Sequence, residues 1–585
     1  MKFSDIASDL KKLEETSSRN AMIEILAEVF RKVPADDIDA LVYLMQGRVA
    51  PLYEAVEFNF AEKSMIKAIA HAFGEDEGVL KKEFKKIGDL GKLAESLSDR
   101  KSSSVTIKEV FTELTRVADT GGVGSVDKKL NILSDLFSSV DSLSARFIAR
   151  IPVGKLRLGF SDMTVIDSFS WMLVGDKSIK KAIESKYNIR PDLGYIAKIL
   201  KKDGITGIEK IYPTVFTPIL MARAERLSSG EEIIDKIGEC AIEPKFDGFR
   251  LQAHFDGERV KLVTRNLEDS TFMYPDIVDG IKAQIDAKQV IFEGEAIAYN
   301  PETDEYLPFQ LTTQRKRKYG IEEMAKKIPL KLISFDLLYL NGKVLLDEPY
   351  EKRRELLSKI IRSGNTVLLS EEVIVKTPKE IELKFDEAIS EGLEGILAKR
   401  LDGKYTAGAR GWNWIKFKRS YDARLDDTVD CVVMGYYYGK GKRASFGIGA
   451  FLIGIYDEEQ DKFSTIAKIG TGLTDDEWRE LAKRCDVLKA HEKPPSYEAD
   501  KNMEPDVWVE PEIVVEIKAD EITRSPIHTA GRVMKVSKSG AAFDVDVPGY
   551  ALRFPRLERF RDDKKNSDAT TLSEIEKMFG LQGKQ

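Results

Sequence analysis

The sequence predicts a multidomain chain in which an all-α segment, an α+β segment and an all-β barrel succeed one another. Three observations carry this. Its 585 residues exceed what one hydrophobic core organises. Helical periodicity dominates to about residue 205 and gives way to strand-like alternation after Tyr212-Pro213. From about residue 420 the apolar runs are short, β-branched or aromatic, and separated by glycine-rich or charged turns. The boundaries are therefore placed at 1–205, 206–418 and 419–585.

In the first segment Met22, Ile25, Leu26, Val29 and Phe30 recur at helical spacing, with Asn20 read as the cap and Pro34 beyond the end. Similar stretches continue to Leu200 without a fixed repeat, which reads as one helical domain. In the second, Leu251, Ala253 and Phe255 alternate up to Asp256-Gly257 and the run 260–265 comes next, the pattern of a hairpin. Runs 290–299 and 330–340 read as strands, the latter ending at Asn341-Gly342, while 351–361 and 378–390 read as helices. In the third, 431–438, 450–456 and 512–517 are strand-like. A terminal helix is expected from Ser573 three residues before Glu576, the spacing of a capping box.

Composition narrows the functional classes. Hydrophobic residues make up 42% and charged residues 32%, enough for packed cores under a charged surface. The net charge of −7 gives no overall sign of nucleic-acid binding, although a local basic patch is compatible with it. Cys240, Cys431 and Cys485 lie far apart, which allows neither a disulfide framework nor a four-thiolate zinc site. His71, His254, His491 and His528 lack ligand spacing and read as packing or surface residues. The first residues lack a signal-peptide pattern and no apolar run approaches the ~18 residues of a membrane span, so a cytoplasmic protein without membrane association is expected.

The most informative segment is Glu243-Pro244-Lys245-Phe246-Asp247-Gly248-Phe249-Arg250. A lysine amine is nucleophilic only when neutral, and crowding by cations such as Arg250 would favour that form. The Asp-Gly pair supplies a turn, and Arg250 can return to hold a phosphate through its forked donors. Alone, Lys-x-Asp-Gly reads more readily as an exposed turn; its weight comes from an ordered series of further segments. These are Thr264-Arg265-Asn266, Phe292-Glu293-Gly294-Glu295-Ala296, Phe335-Asp336-Leu337-Leu338, Glu394-Gly395-Ile396-Leu397-Ala398-Lys399, Trp414-Ile415-Lys416-Phe417-Lys418 and Leu552-Arg553-Phe554-Pro555-Arg556.

This series resembles the ordered motifs of the covalent nucleotidyltransferases, specifically ATP-dependent DNA ligases of the archaeal and eukaryotic replicative type. The resemblance spans nearly the whole chain, including Thr120-Gly-Gly-Val-Gly124-Ser125 and Gly154-Lys155-Leu156-Arg157-Leu158-Gly159 in the helical third. It implies an all-α DNA-binding domain, an α+β adenylyltransferase domain and an all-β OB-fold barrel. It makes Lys245 the residue that takes AMP from ATP, Glu243 and Phe335 adenine contacts, and Glu295 a ribose or metal contact. It places Arg250, Arg265 and Arg410 at phosphates, Glu394 as a Mg2+ ligand and Asp247 at the nick. Lys399, Lys416 and Lys418 would face charge developing on the α-phosphate, with 416 and 418 on one face of a strand. Arg553 and Arg556 match a motif that swings over the nucleotide. Thr264 stands where many relatives have serine, which keeps the hydroxyl.

Basic segments that could grip DNA backbone are Arg315 to Lys318, Arg146 with Arg150, Lys155 and Arg157, and Lys440 to Arg443. The implied partner is nicked double-stranded DNA bound by a monomer, and the resemblance leaves room for a sliding clamp. Without a zinc-binding cysteine set, ATP is preferred to NAD as donor. The rival readings are an RNA ligase or mRNA capping guanylyltransferase, which the long helical segment opposes, and a non-catalytic DNA-binding scaffold, which the intact Lys245, Glu394, Lys416 and Lys418 oppose.

Overall fold

A computed structural model of the chain describes all residues except 228, 302–305, 308, 318, 391–392, 419–427, 440–445, 471–472, 526, 537–542, 554 and 582–585. Two compact units emerge, one of residues 1–156 and 161–419, the other of 157–160 and 420–585.

The first unit opens with α-helices from Phe3–Glu14 to Leu193–Glu209, the last of them broken at Gly204, whose φ is +63°. Their apolar faces meet in pairs, as where Phe30 and Phe169 approach at 5.0 Å between ring centroids. The helix expected around Met22 is Arg19–Lys32, and its cap is Ser18, which accepts from the Ala21 N–H, rather than Asn20. Both residue types cap well, so composition alone could not choose between positions two apart. Two cations expected to be free for phosphate serve the fold instead. Arg150 is 1% exposed, bound at 2.5 Å to Asp89 and at 2.9 Å to Glu14, and Arg146 joins Glu14 to Glu95. Lys155, also expected at phosphate, pairs with Glu62 at 2.8 Å on the surface.

Two sheets complete the same unit. Their strands are β1 (Arg223–Arg226), β2 (Cys240–Lys245), β3 (Phe249–Phe255), β4 (Val260–Thr264), β5 (Val290–Ala298), β6 (Leu330–Leu340), β7 (Lys343–Val344), β8 (Val367–Leu369), β9 (Val373–Val375), β10 (Gly395–Arg400) and β11 (Arg410–Lys418). One sheet has the order β1-β11-β10-β2-β9, the other β4-β3-β5-β6-β7 with β8 alongside β6. Strands alternate their side chains between faces. Ile242, Ile396, Ala398, Ile415 and Phe417 therefore pack into a core with Ile381 of helix Pro378–Ser390 and Ile233. The register aligns Glu243 with Leu397, Leu397 with Lys416 and Lys399 with Trp414, all on the face turned away from that core. A second cluster, with Ile291, Phe335 and Leu338 from the β4–β8 sheet and Tyr405 and Trp414 from the β11 region, joins the sheets.

In the second unit β12 (Val429–Tyr438), β13 (Ile448–Asp457) and β14 (Lys462–Ile469) form an antiparallel meander, with Val514–Lys518 bridging β12 to Arg556–Phe560. They close on a core containing Val433, Phe451, Ile453, Val515 and Trp478, the last from helix Asp475–Val487. The terminal helix is Leu572–Leu581. Its capping box is Thr571 with Glu574, whose side chains reach each other's backbone N–H, not Ser573 with Glu576. The three cysteines are free and buried. Among the described residues no helix is long and apolar enough to cross a membrane.

Candidate active site

Between the two sheets of the first unit lies a cleft of about 450 Å³. Lys245, Arg250, Arg265, Glu295, Phe335, Arg410 and Lys416 line it, joined by Arg223, Lys316, Asn266 and Trp414. Lys245 closes β2 at the cleft edge, where its carbonyl accepts from the Glu394 N–H at 3.2 Å. Its ammonium forms an ion pair with the Glu394 carboxylate. The cationic crowding expected from Arg250 is thus not what the amine meets first; its immediate neighbour is an anion. The turn after Lys245 also works differently from a left-handed Asp-Gly turn. A Cβ at Gly248 would sit 2.4 Å from the Ala296 carbonyl oxygen, so glycine is required for close approach to β5.

Arg250 holds its fork inward. Nη1 donates to the Ala222 carbonyl at 2.7 Å and Nη2 to Glu293 at 2.6 Å, leaving Nε buried without a partner. The fork read from sequence as a grip on phosphate is thus anchored to the protein through both terminal nitrogens, and Nε is the nitrogen that no described protein group meets. A buried donor left unmet costs about 1–3 kcal/mol, which a ligand oxygen would recover. Burial opposes the charge on Arg250, but Glu293 and Tyr405 outweigh it and raise its pKa. Glu293, with no exposed surface, also accepts from Gln252 at 3.0 Å and Tyr405 at 2.9 Å. Gln252 in turn accepts from the Ile219 N–H at 2.7 Å and pairs with the buried His254 ring at 3.1 Å.

Phe335 forms a wall of the cleft, edge-on to Trp414 at 5.9 Å. Its neighbour Asp336 fixes the strand through a fully buried pair with Arg353. Lys399 lies behind this wall, not at the cleft face where sequence placed it. It has no exposed surface and donates to Glu243 at 2.8 Å and to the Phe335 carbonyl at 3.1 Å. Glu243 also accepts from Tyr350, which reaches Glu372 as well, so both of its functions, ion pairing and adenine contact, would have to share one buried carboxylate.

Arg223, Arg265 and Arg410 make no ion pair among the described residues. Arg223 and Arg410 are register partners on β1 and β11. Burial lowers the pKa of Arg265, and the like charges of Arg223, Arg250 and Arg410 lower it further. Cations gathered without a counter-charge are an anion site in waiting. Nearby, burial pushes the Glu295 carboxyl up to about 7; Asp247 and Glu394 reinforce this while Lys245 and Arg250 oppose it. Protein carboxylates of this kind suit a hard cation. Among the described residues no three His, Cys, Asp or Glu side chains converge as a metal site.

Other expected residues fall elsewhere. Arg315 is buried against Asp276 at 2.8 Å and cannot hold DNA, because that pair anchors the chain to helix Pro275–Gln284. Lys316 instead lines the cleft and pairs with Glu268 at 3.0 Å. Arg556 pairs with Asp520 at 3.0 Å in the second unit. Lys318, Lys440 to Arg443, Phe554 and the side chains of Lys418 and Arg553 lie outside the described residues; the Lys418 backbone pairs opposite Gly395. Sequence reasoning missed Arg223, Glu293 and Tyr405. Glu293 stood inside a quoted motif, but no local signal marked the other two.

Comparison with known proteins gives a consistent result along the chain. Residues 2–170 match the family model described as DNA ligase N terminus, 221–418 that of the ATP dependent DNA ligase domain, and 444–564 that of the ATP dependent DNA ligase C terminal region. A "Probable DNA ligase" of Dictyoglomus turgidum is 49% identical, covering 100% of this chain and 98% of that protein. A "DNA ligase" of Saccharolobus solfataricus is 39% identical over 100% and 98%. A solved structure named Pmar-Lig_PreS3 shares the fold over 95% of this chain and 99% of its own, at TM-score 0.53 and 17% identity.

Proposed function

We propose, because this chain belongs to the ATP-dependent DNA ligase family, that it seals nicks in double-stranded DNA as a cytoplasmic monomer, with Lys245 as the residue that carries AMP. In the first step Lys245, once its ammonium has lost a proton, attacks the α-phosphorus of ATP. A phosphorus–nitrogen bond forms, the bond to the bridging oxygen breaks, and pyrophosphate leaves. The AMP then moves to the 5′-phosphate of the nick, and the neighbouring 3′-hydroxyl displaces it to close the backbone. Little covalent help is needed at phosphorus, so positioning and charge do most of the work.

The residues divide these tasks. Phe335 and Trp414, packed edge to face, offer the base an apolar wall, with Glu243 assigned to the adenine and buried behind it. Arg250 Nε, Arg265, Arg410 and Lys416 offer positive charge to phosphate oxygens, with Lys418 next along the same strand. Asp247 serves the nick, and Lys399 supports the wall by holding Glu243 and the Phe335 backbone. Glu295 and Glu394 would hold Mg2+, which supplies charge neutralisation to the phosphates. We assign DNA grip to residues 1–205, adenylyl transfer to 206–418 and an OB-fold to 419–585, whose Arg553 and Arg556 act on the leaving pyrophosphate.

The observation that carries this reading is Lys245 at the edge of a cleft walled by Phe335 and lined by Arg223, Arg265 and Arg410, which make no ion pair among the described residues. The test is incubation with ATP labelled at the α-phosphate and magnesium, and then a denaturing gel and a nick-sealing assay. Label should stay on the protein and vanish in Lys245→Ala, with sealing down by more than about 1,000-fold. Label acquired only from GTP would favour capping, sealing confined to nicked RNA would favour an RNA ligase, and no label at all would favour a scaffold.

A further inference from the structure

We propose that Tyr405 is a positioning residue for Arg250, acting through a closed hydrogen-bond ring that fixes the direction of Nε, the one Arg250 nitrogen without a hydrogen-bond partner among the described residues. The proposal rests on the reading of the cleft as the adenylylation site. The ring has four members from distant parts of the chain. Arg250 Nη1 donates to the Ala222 carbonyl at 2.7 Å, and the Ala222 N–H donates to the Tyr405 hydroxyl at 2.9 Å. That hydroxyl donates to Glu293 Oε1 at 2.9 Å, and Arg250 Nη2 donates to Glu293 Oε2 at 2.6 Å.

Every direction in this ring is forced. A guanidinium only donates and an ionised carboxylate only accepts, so the Tyr405 proton must point at Glu293 while its lone pair faces Ala222. Burial, with Glu293 beside it, holds the phenol well above its ordinary range and keeps that proton in place. Arg250 and Glu293 sit on β3 and β5 of one sheet, whereas Ala222 directly precedes β1 and Tyr405 lies shortly before β11 of the other. The ring therefore stitches the two walls of the cleft together at its floor.

Arg250 is then immobile. Both terminal nitrogens are engaged, and its guanidinium carbon lies 5.4 Å from the Phe335 ring centre and 5.0 Å from that of Trp414. Nε lies buried with no hydrogen-bond partner among the described residues. With the fork pinned, Nε has one direction to offer, and the group that satisfies it is an acceptor oxygen of the nucleotide, on phosphate or ribose. Remove the Tyr405 hydroxyl and Glu293 loses one donor, Ala222 loses its acceptor, and the ring is left open, with Arg250 as its remaining arm between the walls.

The experiment uses the full chain and measures lysine labelling by α-labelled ATP at a series of ATP concentrations, with Tyr405→Phe, Glu293→Gln, Arg250→Lys and the double variant Tyr405→Phe with Arg250→Lys. Wild type must label; if it does not, the reading of the cleft fails, separately from this inference. Tyr405→Phe should raise KM for ATP by about tenfold while kcat stays within about threefold, and should cost little more once Arg250 is already Lys. A purely packing role would lower the active fraction and leave KM unchanged, and that outcome overturns the proposal. So would a factor that multiplies unchanged in the Arg250→Lys background. Should Tyr405→Phe fold poorly by its thermal midpoint, Glu293→Gln reads the same ring from the opposite side, and an unchanged KM there is equally fatal. Rescue of KM is expected neither from ribose-free triphosphate nor from added magnesium; replacing the α-phosphate non-bridging oxygen by sulfur separates a phosphate partner from a ribose one.

Discussion

Two sets of arginines in the first unit look alike in sequence and differ in what surrounds them. Arg150 and Arg315 are almost fully buried, each locked to carboxylates. Arg223, Arg265 and Arg410 line the cleft and have no such partner among the described residues. The first set holds helices together, and the second leaves positive charge unspent where a polyanion can enter. Partnering, rather than charge density along the chain, separates a structural cation from a functional one.

The contrast breaks most visibly if a member of the first set is removed. Arg150→Met would take from Glu14 one of its two arginine partners and from Asp89 the buried guanidinium that faces it. Losing one partner of a buried pair costs roughly 3–5 kcal/mol. The expected result is a clear drop in thermal midpoint with an unchanged ATP KM in the protein that stays folded. A normal midpoint would mean that Arg150 belongs with the functional set.

Removing a member of the second set should do the reverse. Arg265→Ala or Arg410→Ala relieves repulsion among like charges, so stability should hold or rise slightly, while ATP labelling falls roughly 10–100-fold at subsaturating nucleotide. Thermal midpoints measured with and without ATP sharpen this: wild type should be stabilised by nucleotide more than either variant. Equal shifts would show that these arginines do not meet the phosphates.

How much of this was legible in the sequence depends on distance along the chain. Strand Leu330–Leu340 and helix Pro378–Ser390 fall where periodicity placed them, because each is a local pattern ended by a local signal, Asn341-Gly342 in the first case. The hairpin of β3 and β4 was readable for the same reason. Lys245, Phe335, Arg265 and Glu295 were readable through motifs, and the structure brings all four to one cleft. Partners were not. Tyr405 meets Ala222 across 183 residues and Glu293 across 112, contacts that exist only once two sheets have closed. The same blindness put Arg146, Arg150 and Arg315 on DNA and Lys399 at the cleft face, since a basic residue in a sequence does not show which carboxylate folding will bring to it.

The smallest effect tests the partnering rule on a residue that is neutral at pH 7. His254 accepts from the Phe216 N–H at 3.1 Å and pairs with Gln252, with no exposed surface. Burial, helped by the charge of Lys261, lowers its pKa to about 3. In the unfolded chain the ring titrates near its ordinary ~6.5. Above that value both states are neutral and the residue costs nothing. As pH falls from about 6.5 towards 3 the unfolded state binds a proton that the folded state refuses, so stability declines by at most ~1.4 kcal/mol per pH unit, or roughly 2 kcal/mol by pH 5. His254→Gln keeps an amide in reach of the same groups and removes the titration. Its thermal midpoint should be similar to or below that of wild type at pH 7.5 and should lose less on acidification to pH 5. Parallel losses in the two proteins would mean that acid acts on another group and that the ring accepts a proton without leaving the fold. Because His254 is tied through Gln252 to Glu293, ATP labelling after the same acidification asks whether the network beneath Arg250 loosens before the unit unfolds.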